Sequence, residues 1–421
     1  MKRTFVLILL ILLVGGGIYV GKFIAENTAW LNFDISELAI KENNLNPNTN
    51  ASPDNGDELD KLAASAINIP PEYAIGAFAI ARQLNLPEGF AISVYAAGLD
   101  APRFFDFDSD NTLIVADKGS GKLIELPDQD ADGVADEVRT IDNGLRNVHS
   151  VDWHDGVLYV AEESQIVMYS KNGGTAYDPK LPLIRDLPSD GGHSTRTVVV
   201  GPDNALYVSV GSSCNICEES DRRRAAVVRY NLDGGGEEIF AEGLRNSVGI
   251  VFHGDELWSV DNGRDRIGDN LPPEEVNILT KGKHYGWPYC YGRGEANPEF
   301  PERAEFCQTE TAFPRYEMQA HSAPLGLGFL PETHAFPAAM NNDLFIAFHG
   351  SWNRTVPTGY KVVRIDTSQD SPGATNFISG WLENNGDAWG RPVGIGFDNN
   401  GVMYVSDDKA GAIYRVTYSS N

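Results

Sequence analysis

Three groups of residues in this chain have types and settings that could do chemistry. His193 stands in DGGHSTRTVVVGPDNALYVSVG, just before an apolar strand pattern, so it belongs to a loop face rather than to a core. Imidazole is the natural proton acceptor near neutral pH. Arg245, with Asn246 beside it, and Arg391 each stand where a strand pattern begins, and Arg354 follows one in GSWNRT. Arginines gathered at one place repel each other unless an anion lies among them, so the set points to a polyanionic ligand. The alternative is that each pairs with a nearby Asp of an acidic chain. The third group is Asp128, Asp130, Asp132 and Asp136 in DQDADGVADE, with Gly133 at the bend. This is the first part of an EF-hand calcium loop. The acid that should close the loop is replaced by Arg139, and strand patterns flank it. The expectation is a structural Ca²⁺ site rather than a signalling hand, with a solvated acidic turn as the alternative.

The elements that must position these residues form a repeat. Segments 102–117, 147–162, 196–211, 246–261 and 391–407 share one plan. An apolar strand leads into an Asp/Asn/Gly turn, and a second strand rich in Leu, Tyr and Val follows. Each is a hairpin whose turn residues supply the backbone angles a tight turn needs. A sixth copy joins APLGLGFL at Ala323–Leu330 to DLFIAFHG at Asp343–Gly350 across an insertion. The GLRN tetrapeptide occurs twice, at Gly144–Asn147 and Gly243–Asn246, in equivalent places of two copies. The first copies are spaced by about 44 to 50 residues, the period of a four-stranded propeller blade. The other two strands of each blade lie between hairpins, as KLIELP and VVRYNL exemplify. The fold class is therefore all-β, a six-bladed β-propeller over 86–421, with function at the channel mouth.

Composition and termini bound the rest. Net charge is −26 at pH 7, which argues against nucleic acid as a partner, since phosphate binding needs a basic face. Lys2 and Arg3 precede an apolar run from Phe5 to Gly21. Residues 1–23 read as an N-terminal signal peptide or membrane anchor, placing the protein in the periplasm or tethered to the outer face of the inner membrane. Residues 24–85 read as a polar tether with a short helix near ELDKLAASAI. Cys214, Cys217, Cys290 and Cys307 are an even set, which in an exported chain suggests two disulfides, most simply one within each local pair. A zinc site made by all four is the alternative.

Taken together, HSTRTVVVGPDNALYVSVGSSCN, EGLRNSVGIVF, VDNGRDRIGDNLPPEEVN, HGSWNRT and GRPVGIGF with MYVSDD resemble the soluble quinoprotein sugar dehydrogenases, in their sorbosone dehydrogenase-like branch. The resemblance runs from Leu86 to Tyr418, and that family is a six-bladed propeller. It implies a pyrroloquinoline quinone (PQQ) cofactor with three carboxylates, Ca²⁺ at the channel mouth, a small-molecule sugar substrate and an electron acceptor the sequence does not identify. By resemblance His193 is the general base that takes the sugar C1 hydroxyl proton. Arg245 and Asn246 contact the cofactor, Arg391 meets a cofactor carboxylate, and Arg354 takes the place of a cofactor-contacting lysine. The backbone carbonyls of Gly263 and Arg264 fall where the family holds its cofactor-side calcium. Two departures stand out. Gly211–Ser212 occupies the place of an aspartate that partners the histidine in glucose-oxidising members, and Gly192 replaces an Asp before the histidine. A propeller lactonase with a Glu/Asn/Asp metal site, and a non-catalytic glycan- or partner-binding propeller, are the competing readings.

Overall fold

The computed structural model describes residues 61–171, 176–370 and 372–419. The N-terminal signal or anchor helix expected over 1–23, and most of the tether, lie outside them. Among the described residues no helix is long and apolar enough to cross a membrane.

Six antiparallel sheets of four strands each, in ladder order, make six blades, and the third gains a short parallel fifth strand, Lys283–His284. The first two strands are Pro102–Phe107 and Leu113–Asp117 in blade one, Ser150–His154 and Val157–Glu162 in blade two, and Arg196–Val200 and Ala205–Val210 in blade three. They are Ser247–His253 and Glu256–Asp261 in blade four, Pro324–Phe329 and Asp343–Phe348 in blade five, and Pro392–Phe397 and Met403–Asp407 in blade six. These are the six hairpins of the repeat. Their first strands contact one another in a closed ring, one to six and back to one.

Glycine sets how closely that ring closes. A Cβ on Gly326 would run into the Val393 carbonyl and stand 2.8 Å from the Gly394 Cα, and one on Gly249 would run into the Leu325 carbonyl. The LGL and VGI patterns of blades four to six thus let neighbouring backbones touch, a use of glycine inside strands. Blade one has Phe104 here, and its ring joins Val248, Leu325 and Val393 in an apolar layer across the channel.

Blades cannot bury their faces alone, and the core lies between them. Val208 and Tyr230 of blade three pack with Tyr159 and Ile166 of blade two. Trp258 and Val260 of blade four pack with Leu344 and Phe348 of blade five. Blade six takes its outer strand from the other end of the domain: Phe90–Ala97 pairs with Ala412–Tyr418, from Phe90 opposite Tyr418 to Ala97 opposite Ala412. This closure ties the first strand of the propeller to the last.

Two expectations for the N-terminal side change. Leu62–Ala66 is a strand, paired antiparallel with Gln83–Pro87, where the sequence predicts a short helix. The alanines favour helix intrinsically, but a partner strand overrides so weak a preference. The tether does not extend to 85 either. Tyr73, Phe78, Leu84 and Leu86 are buried in the main core, so the segment from 61 onward belongs to the globular body. Blade four carries an insertion between its third strand, Glu274–Leu279, and its fourth, Tyr316–Met318. It holds a helix at Ala304–Thr309 and the disulfide Cys290–Cys307.

Candidate active site

The repeat prepares one face of the ring. Where the first strand of a blade begins, its backbone N–H groups have no ladder partner, and a buried unpaired N–H is costly. In blades two, four and six the acidic residue ending the second strand supplies the acceptor. Arg146 N donates to Glu162 Oε2 (2.8 Å), Arg245 N to Asp261 Oδ2 (2.9 Å) and Arg391 N to Asp407 Oδ1 (2.7 Å). This explains why each GLRN is followed by an apolar strand and an acid. Strand starts and second-strand ends therefore share the face on which the candidate residues sit.

His193 lies on this face, partly buried. Its Nδ1 is 2.9 Å from both the carbonyl oxygen and the hydroxyl of Ser212. A carbonyl only accepts, so Nδ1 carries the proton and donates, leaving the Nε2 lone pair free. The Ser212 hydroxyl in turn donates to the Cys214 carbonyl (2.8 Å). Nε2 makes no hydrogen bond among the described residues. Burial, then the charge of Arg245, lower the His193 pKa to about 4, against the raising effect of the Ser212 bond. The place of the missing aspartate is thus filled by Ser212, a neutral orienting group. Gly211 is required beside it, since a Cβ there would stand 2.7 Å from the His193 Cβ and 2.5 Å from Asn246 Oδ1.

Arg245 is buried, and its guanidinium is committed to protein. Nε donates to the Asn215 carbonyl (3.1 Å), and Nη1 to the carbonyls of Asn262 (3.1 Å) and Gly263 (2.9 Å). Nη2 reaches Asn215 Oδ1 (3.0 Å) and Asp265 Oδ2 (3.4 Å). The arginine expected to offer its donors to a ligand instead brings a charge and a rigid brace. It sits on the Gly263 carbonyl expected to hold calcium. That oxygen keeps a second lone pair. Buried acids hold the adjoining backbone: Glu274 accepts from Gly263 N (2.7 Å) and Asp261 from Arg245 N. Burial raises Glu274 to about 7 and Asp261 to about 6. Arg264 is also buried and ion-paired with Glu299. Asn246 donates through Nδ2 to Asn262 Oδ1 (3.4 Å).

The other two arginines keep donors in reserve. Arg391 gives Nε to the His349 carbonyl (2.9 Å) and Nη2 to the Gly350 carbonyl (2.6 Å), and lies over the Tyr360 ring. Its Nη1 makes no hydrogen bond among the described residues. Arg354 gives Nη1 to the Ala320 carbonyl and Nη2 to Asn270 Oδ1, while its Nε is buried without a partner. Uncommitted guanidinium N–H groups on Arg354 and Arg391 are what a multiply charged carboxylate ligand satisfies, so the donor set fits PQQ.

Sequence reasoning did not single out several residues that complete this face. His349 Nε2 meets Asp408 Oδ1 (2.8 Å), and Asp408 also pairs with Arg103. Burial lowers His349 to about 4, and the histidine and arginine hold Asp408 at about 2 against its own burial. Asp265 takes Asn353 Nδ2 (2.9 Å) as well as Arg245. In the earlier GLRN, Arg146 is mostly exposed and bound to Glu163, so the matched arginines do different work.

The acidic loop is elsewhere. It joins the third strand of blade one, Lys122–Leu126, to the fourth, Arg139–Asn143, at the opposite face of the ring. Asp128, Asp130 and Asp136 place oxygens within 4.8 Å of one another, and Asp132 is not in that group. Asp128 accepts from the N–H groups of Asp132 and Gly133, as a calcium loop does before its ion. The disulfides are Cys214–Cys217 and Cys290–Cys307, the local pairing expected.

Comparison with known proteins agrees. The chain is 32% identical to a protein of Borreliella burgdorferi that carries no assigned function, over 82% of this chain and 93% of that one. It is 27% identical to the pyrroloquinoline quinone-dependent sugar dehydrogenase of Hypocrea jecorina, over 79% and 89% of the two chains. Against the pyrroloquinoline quinone-dependent pyranose dehydrogenase of Coprinopsis cinerea the identity is 25% over 79% of this chain, which spans about half, 54%, of that enzyme. The solved Trichoderma reesei carbohydrate-active enzyme of family AA12 superposes with a TM-score of 0.67 at 25% identity, covering 79% of this chain and 97% of that one. The enzyme class and the PQQ cofactor implied by the motifs are those of these characterised relatives. With a family profile matching residues 84–419, the chain belongs to the TrAA12-like family.

Proposed function

We propose that this protein is a PQQ-dependent dehydrogenase that oxidises an aldose or related sugar aldehyde at C1, with Ca²⁺ assistance. The observation that carries the reading is His193: its Nδ1–H is fixed on Ser212, and Nε2 is left unpartnered on the face that gathers Arg245, Arg354 and Arg391. PQQ, when bound, supplies a two-electron acceptor for hydride. The chain's own part is positional and electrostatic. Arg354 and Arg391 hold carboxylates, Arg245 adds charge, and the Gly263 and Arg264 carbonyls offer oxygens to a calcium ion. His193 Nε2 takes the substrate hydroxyl proton, and its low basicity keeps it neutral and ready at physiological pH.

The same reading places the protein in an oxidising compartment outside the cytoplasm, in keeping with two disulfides, with residues 1–23 as its export signal or tether. It assigns a structural calcium to Asp128, Asp130 and Asp136. A lactonase reading needs a cage of channel carboxylates and amides. Glu163 and Asp408 are instead committed to Arg146 and Arg103. The test is His193→Ala: turnover of an aldose with an artificial dye acceptor is lost while PQQ binding persists. Near-normal turnover would remove His193 as the base.

A further inference from the structure

The loop after the second strand of blade three, residues 211–225, has neither strand nor helix, yet it carries the group that orients His193. Within it Cys214 and Cys217 close a small ring through their disulfide. Asn215 sits inside that ring and makes contacts far along the chain. Its Oδ1 accepts from Arg245 Nη2 (3.0 Å) and from Asp265 N (2.8 Å). Its Nδ2 donates to the Asp265 carbonyl (3.2 Å). Its own carbonyl accepts from Arg245 Nε (3.1 Å) and Trp287 Nε1 (3.4 Å). The neighbouring Cys214 carbonyl accepts the Ser212 hydroxyl, which meets His193. Glu219 takes the N–H (2.6 Å) and the hydroxyl (2.7 Å) of Ser213, next to the ring.

We propose that the Cys214–Cys217 ring is a clamp, with Asn215 as its positioning residue, that holds the His193 base, the Arg245 brace and the loop 262–265 in one geometry. The clamp rests on the reading of His193 as base and Arg245 as the cofactor-side cation. The physical reason is loop entropy: backbone bonds tie Ser212 and Ser213 to Gly192, His193 and Arg245, but 214–217 makes none among the described residues, and closing it through the disulfide fixes the carbonyls and the amide it presents. Both cysteines are partly exposed, whereas Cys290 and Cys307 are buried, so of the two disulfides the first is the one near solvent.

The test uses the full chain and two readouts, one of which needs no cofactor. In the PQQ-free protein, ¹⁵N NMR of His193 reports whether the proton stays on Nδ1. PQQ affinity is then measured by titration. In the C214S/C217S double variant the fixed Nδ1–H signature gives way to a mixture of tautomers, and PQQ binds roughly tenfold or more weakly. Asn215→Ala, with the disulfide intact, weakens PQQ to a similar degree and carries the test where the cysteine variant does not fold. Asn215→Asp keeps an acceptor for Arg245 and recovers part of the loss. Wild-type affinity and an unchanged tautomer in both the cysteine variant and Asn215→Ala would overturn the clamp. If the wild-type protein binds no PQQ, the proposed function fails, and the tautomer comparison still judges the clamp.

Discussion

The prediction that follows most directly from the site's electrostatics concerns the proton on His193. An ordinary histidine is half protonated at pH 6.5. Burial first, and then the charges of Arg245, Arg196 and Arg224, bring His193 to about 4, with the Ser212 bond opposing them. That displacement corresponds to a preference for neutral imidazole of about 3 kcal/mol, and to less than about 1% protonation at pH 6.5. The sign for stability follows. The unfolded chain binds this proton below 6.5 and the folded one only near 4, so the contribution is fully present above 6.5 and is lost as pH falls through about 4. The assay is a ¹⁵N-detected histidine titration of the PQQ-free protein, with Arg245→Gln as the perturbation. The wild-type midpoint falls near 4. The variant's midpoint rises but stays below 6.5, because burial is the larger cause. A wild-type midpoint at or above 6.5, or no response to Arg245→Gln, would refute the reasoning.

Other consequences are as direct. Ser212→Ala removes one acceptor from His193 Nδ1–H and leaves the carbonyl, so kcat should fall by about two- to tenfold with KM little changed, read by steady-state kinetics. Arg391→Ala loses two bonds to the carbonyls of His349 and Gly350 and its place over Tyr360. It should lower PQQ affinity by about tenfold or more and cost about 1–3 kcal/mol of stability, measured by titration and thermal melting. Gly326→Ala forces a Cβ onto the backbone of blade six, and urea unfolding should show a loss of about 2 kcal/mol or more. Calcium should raise the melting temperature in part through the Asp128 loop, and Asp130→Asn should remove that part, leaving PQQ affinity unchanged because the loop lies on the opposite face.

How much of this was legible in the sequence depends on whether a signal is local. The six hairpins were visible because each carries its own alternation and its own turn residues. The fourth strands, such as Leu181–Ile184 and Tyr316–Met318, are short edges with little pattern of their own. Ring closure by Phe90–Ala97 joins the two ends of the propeller, which no window along the chain reveals. His193 and Arg391 stood out because strand starts recur at fixed places in the repeat. Ser212 was legible only as a departure from the family's aspartate, and Asn215 not at all, since they act through a carbonyl, a hydroxyl and an amide whose partners lie far along the chain. Arg245 shows the other limit. Its type and place were evident, but that its guanidinium is taken up by Asn215, Asn262 and Gly263 is a fact of packing.

The central claim is that the arginine-lined face holds a quinone cofactor against His193 for sugar oxidation. The measurement that tests it most directly is titration of PQQ into the full chain with Ca²⁺ present, followed by dye reduction over a panel of aldoses. The account predicts saturable binding at micromolar PQQ and dye reduction that requires both PQQ and an aldose. Absence of binding at micromolar PQQ would contradict it.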